Sequence, residues 1–107
     1  MTMNEARGVK NLLTKAAKLL QTKGWCQFTS KNNRGQFCAA GALHHAGNMS
    51  LLPTIVIARV LLQDAIRLRH YHETHLTAWN DQKGRTKAQV LQVFRTAIKL
   101  AGLAAEA

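Results

Sequence analysis

Ala78-Trp79-Asn80-Asp81-Gln82-Lys83-Gly84-Arg85-Thr86 lies between two strongly helical segments and so sets the angle between them. Thr86 and Gln89 have capping-box spacing. The Thr hydroxyl can accept the N3 amide proton, and the Gln side chain can reach back to the Thr86 amide. Gly84 takes a positive φ cheaply, and Asn80 and Asp81 can fold onto nearby backbone amides. Trp79 is large enough to plug a seam between helices, with an indole N–H that needs an acceptor. Asp81 and Arg85 are placed to pair across the loop. The plain reading is an interhelix corner; the functional one is a polar recognition or catalytic loop of Trp79, Asn80, Asp81, Arg85 and Thr86.

Outward from this corner, helical periodicity governs most of the chain. From Asn4 to Lys23, Val9, Leu12, Leu13, Ala16, Leu19 and Leu20 recur on one stripe. Arg7, Lys10, Lys15 and Lys18 fall opposite, a basic face suited to phosphates or an acidic protein surface. Gly24 stops that helix. The bulky runs Trp25 to Phe28 and Gln36-Phe37 flank the turn Lys31-Asn32-Asn33-Arg34-Gly35, which predicts a small hairpin or loop. Its tip adds Lys31 and Arg34 to the basic set. Trp25, Phe28 and Phe37 read as a lid on the core, with a nucleic-acid stacking platform as the alternative.

Cys38 to Ala46 reads as a short helix of small residues. Pro53 opens a third helix, which runs to Leu68 and is apolar on most sides; its second apolar face leaves room for a homodimer. Lys87 to Ala105 forms the last helix. The expected fold is mainly α: one compact four-helix domain, residues 1–107, with a small hairpin or loop after helix 1.

The length of 107 residues fits one domain, and the 47% hydrophobic content argues against disorder. Fifteen Lys and Arg against five Asp and Glu give a formal charge of +10, which favours an acidic partner. No apolar run is long enough to span a membrane, and the first residues lack a signal-peptide layout. The expected location is the cytoplasm of a bacterium or of an infected host.

Cys26 and Cys38 lack CxxC spacing and read as reduced core thiols. His70, His72 and His75 invite a zinc reading, but no second ligand pair follows, so no metal and no cofactor are expected. A Cys nucleophile with His44 or His45 finds no recognisable oxyanion or orienting motif, so binding is preferred to catalysis.

Gly24-Trp25-Cys26-Gln27, Cys38-Ala39-Ala40-Gly41-Ala42-Leu43, Trp79-Asn80-Asp81 and Gly84-Arg85-Thr86 together form a pattern. From Ala6 to Leu100 the chain resembles a family of small proteins of unknown function carried by bacteriophages and by bacterial genomes, actinobacterial ones especially. The resemblance implies a compact helical fold and a phage or mobile-element origin, and carries over no catalytic residue. The expected function is a small basic interaction protein that modulates a host protein or protein–nucleic-acid complex. A nucleic-acid-binding accessory protein is the alternative, and a small Cys/His enzyme the least favoured.

Overall fold

In the computed structural model, which describes residues 1–48 and 50–106, α1 spans Met3–Lys23, α2 Ala39–Ala46, α3 Leu52–Leu68, α4 Leu76–Asn80 and α5 Lys87–Glu106. The expectation of four helices with a small hairpin or loop after the first is corrected: among the described residues there are five helices and no named strand. The additional helix, α4, is only five residues long. It is too short to show an apolar repeat, so periodicity merged it with the corner. Between α1 and α2 the chain makes only isolated bridges, Trp25 with Phe37 and Lys31 with Phe37.

α1 forms the spine. It packs most extensively on α5 and also touches α2 and α3. Its buried face is Ala6, Val9, Leu12, Leu13, Ala16 and Leu20, the apolar stripe read from the sequence. α5 answers with Val90, Val93, Phe94, Ala97 and Ala101. The radius of gyration is 12.8 Å, close to the roughly 13 Å of a compact chain of this length.

The helix ends follow local chemistry. Thr2 and Glu5 form a reciprocal capping box on α1, and the amide bond from Thr2 holds the Glu5 carboxyl below its ordinary range. Gly24, at φ 103°, ends α1 and donates its amide to Leu20. Cys38 caps α2, its sulfur accepting the Gly41 amide at 3.2 Å. α3 ends by a different device. His70 turns left-handed at φ 64°, the Tyr71 amide reaches back to the Ile66 carbonyl, and the His70 amide reaches that of Arg67. This double closure is a Schellman motif. α3 therefore stops at Leu68, and His72 and His75 never share a helix face.

Small residues in α2 permit close approach. An ideal Cβ on Gly41 would sit 2.0 Å from the Ser30 carbonyl oxygen. That same oxygen accepts the Cys38 amide at 3.2 Å. The irregular segment is thus laid directly on the first turn of α2, where only glycine leaves room.

Candidate functional site

Asn80, the last residue of α4, is fully buried and is the polar centre of the molecule. Its side-chain oxygen accepts the Trp25 indole N–H at 2.7 Å and the Ala39 amide at 3.0 Å. Its side-chain nitrogen donates to the Cys26 carbonyl at 3.3 Å and to Asp81 at 2.9 Å. The Trp25 to Phe37 pairing is parallel, with the Phe37 amide bonded to Gly24 and the Cys26 amide to Phe37. Where the next rung would fall, the Asn80 carboxamide stands between Cys26 and Ala39 and serves as a substitute peptide group.

Around Asn80 the remaining polar groups also turn inward. Gln27 donates to the carbonyls of Asn80 at 3.0 Å and Gln82 at 2.9 Å. Asp81 accepts the Phe28 amide at 2.9 Å. Arg85 donates to the Trp79 carbonyl at 2.9 Å and to the side chains of Gln89 and Gln82. Its guanidinium lies 4.2 Å from the Trp79 ring centre and 4.6 Å from that of Tyr71. Burial pulls the Arg85 pKa down, but guanidinium remains charged. The expected Asp81–Arg85 pair does not form, because each side chain has other partners. Trp79 is buried with Tyr71 against its edge, and its indole N–H meets no acceptor among the described residues.

Thr86 and Gln89 make both capping-box bonds, at 3.1 and 3.2 Å. Thr86→Ala should therefore lower stability by about 1 kcal/mol, measurable by urea unfolding; an unchanged midpoint would show that the Arg85–Gln89 bond holds the helix start without Thr86. The Trp79 to Thr86 loop is thus bonded mainly to its own fold and leaves few polar groups to face a partner.

Trp25 and Phe37 pack against the core as expected of a lid, but Phe28 does not: it is 77% exposed. Its φ of 71° is left-handed, which costs a side-chain-bearing residue about 1–2 kcal/mol. Both cysteines are free and buried. Burial pushes the Cys26 thiol up, and its S–H lies near the carbonyls of Thr29 at 3.6 Å and Gln36 at 3.4 Å. The Cys38 sulfur is engaged with Gly41 rather than with His44 or His45. Among the described residues no three His, Cys, Asp or Glu side chains gather as a metal site.

Arg7, Lys10, Lys15, Lys18, Lys31 and Arg34 are all exposed, but the structure divides them. Lys15 and Lys18 line a groove of roughly 340 Å³ with Leu19, Thr22, His45 and Ala46. Lys31 lines a second groove with Phe37, His44 and the same His45, and its ammonium lies 5.4 Å from the Phe37 ring centre. The two grooves therefore meet at His45, whose ring lies 4.9 Å from that of Phe37. Lys10 faces α5, in a separate groove with Arg95 and Lys99. Arg7 and Arg34 line none of these three grooves. His44 and His45 are the residues that sequence reasoning missed as surface members. Their signal was position: they close α2, just after its buried run of small residues. No Asp or Glu occurs between Ala6 and Gln63, so all three elements that build the joined surface lack acidic residues apart from Glu5 at the start of α1.

α3 also carries an exposed apolar stripe of Leu52, Val56 and Val60, four residues apart. No helix among the described residues is long and apolar enough to cross a membrane.

These features define a compact α-helical bundle with a buried Asn at its polar centre. The chain belongs to the family of unknown function DUF6197, whose model matches residues 5–100. No curated protein and no solved structure matches it.

Proposed function

We propose that the protein is a small basic interaction protein that modulates a host protein–nucleic-acid complex by laying the joined surface of Lys15, Lys18, Lys31, His44 and His45 on nucleic-acid phosphates. The observation that carries this reading is the sharing of His45 between two basic grooves, in a stretch of sequence free of acidic residues after Glu5. Clustered cations of one sign release counterions when they meet phosphates, so affinity falls steeply with salt. The reading includes a phage or mobile-element origin, which the sequence resemblance supports.

Titration of nuclease-free protein into labelled DNA and RNA across a salt series tests it. The logarithm of affinity should fall linearly with the logarithm of salt. Lys15→Glu with Lys18→Glu should reduce the slope by about 2, one unit for each lost phosphate contact. Arg95→Glu with Lys99→Glu, on the separate α5 groove, should leave the slope nearly unchanged. Equal losses from both pairs would mean that net charge alone governs binding, and no binding at low salt would remove the nucleic-acid reading. A second copy resting on the exposed α3 stripe would double the basic surface, and sedimentation at two protein concentrations would detect it.

A further inference from the structure

We propose that Phe28 is a preorganised stacking anchor for an unpaired base, so that the nucleic acid is bound as a single strand. This rests on the proposed nucleic-acid function and assigns it a strand class and a contact residue. A large aromatic that is 77% exposed and left-handed at φ 71° is unfavourable both in solvation and in backbone conformation. Two attachments nevertheless hold it there. The Phe28 amide donates to Asp81 at 2.9 Å, and the preceding Gln27 side chain forks onto the carbonyls of Asn80 and Gln82. The anchoring residues belong to the corner centred on the buried Asn80, so the ring is presented from a bonded base. Conformations stored against local preference are characteristic of contact sites.

The surroundings favour a base over an apolar protein pocket. Lys31 follows three residues later, and Lys83 follows the clamped Gln82; both are exposed. Asp81 is the carboxylate in contact with the segment, and it already accepts the Phe28 amide and the Asn80 carboxamide. An exposed ring whose own segment and clamping corner carry exposed lysines is an arrangement that binds single strands: phosphates meet the lysines and a base face meets the aromatic. In a duplex the base faces are stacked on one another, so the same ring gains little.

The test compares a labelled oligothymidylate with a duplex of the same length, using the full chain at fixed salt. Phe28→Asn retains a residue tolerant of the left-handed region but removes the stacking face; Phe28→Trp restores that face. Phe28→Asn should weaken single-strand binding by about tenfold, leave duplex binding unchanged and leave the melting temperature unchanged or higher. Phe28→Trp should regain the loss, with tryptophan fluorescence quenched on binding. Single-strand binding equal in the parent and Phe28→Asn would overturn the inference while leaving the basic-groove reading intact. Loss in Phe28→Asn with none in the Lys15/Lys18 pair would support the inference and overturn the groove assignment. If Phe28→Asn instead abolished capture of a protein partner and changed no nucleic-acid affinity, the ring would be a protein anchor and the inference would fall.

Discussion

A Gly41→Val protein is expected to melt more than about 12 °C below the parent chain, taking a loss of about 3 kcal/mol or more and about 4–8 °C per kcal/mol. The cause is local and backbone-made. The added Cβ would lie 2.0 Å from the Ser30 oxygen and 2.7 Å from its carbonyl carbon. Neither atom can swing aside like a side-chain tip, because the oxygen also accepts the Cys38 amide. Relief requires lifting the segment from α2, which strains the Cys38 amide bond and the neighbouring Phe37 bridges. Gly41→Ala should fail in the same direction. Gly8 supplies the opposite sign: its added Cβ meets nothing closer than Thr54 at 3.8 Å, so Gly8→Ala should stabilise α1 by up to about 1 kcal/mol. Thermal melts followed by circular dichroism decide both. A Gly41→Val midpoint within a few degrees of the parent would mean the close approach is not a constraint.

The second large loss should follow Asn80→Leu. Leucine is similar in volume, so the change leaves packing nearly filled and isolates the polar effect. It strips partners from the Trp25 indole N–H, the Ala39 amide and the Cys26 carbonyl. Each orphaned buried group costs about 1–3 kcal/mol, so the sum should be about 3 kcal/mol or more. Exchange of the Ala39 amide proton should accelerate well beyond the global loss. Asn80→Asp provides a pH-dependent companion. Its oxygens can still accept from Trp25 and Ala39, but an ionised carboxylate would face the Cys26 carbonyl and Asp81 with no proton to donate. Burial and like charge would raise its pKa, so the folded state would hold the extra proton. Stability should therefore decline as pH rises through and above about 4, and partly recover on acidification. Equal stability of Asn80→Leu and the parent would remove Asn80 as the organising group.

The long helices were legible because α1 and α5 must bury one face against the core, and that requirement writes a repeat into the sequence. Gly24, Pro53 and the Thr86–Gln89 pair marked their boundaries through chemistry acting over three or four residues. α4 was not legible as a separate helix, since it makes barely one turn and is fixed by contacts distant in sequence. The same reason hid the roles of Asn80 and Asp81. Their turn-forming chemistry suggested local bonds, whereas their main partners lie among Trp25 to Phe28 and at Ala39. Phe28 and Phe37 looked alike as bulky residues beside a turn; only the bridges that place Phe37 between residues 25 and 31 distinguish the buried ring from the exposed one. The six basic residues were legible as exposed charges. Their separation into a joined surface and outliers depends on the placement of α2 beside α1, which periodicity does not specify.

The Asn80 carboxamide also bears on the order of folding. Helical bundles generally fold fast because their contacts are local, and loop-closure entropy slows whatever must wait for distant partners. Here the Gly24 to Cys38 segment receives bonds from α4 and the residues after it across separations of 53 to 55 positions. This segment completes its bonding only when the far corner arrives. Phe28 therefore cannot take its strained place until the far corner has docked, and a chain stopped before Leu76 would have neither the corner nor the Phe28 conformation it holds.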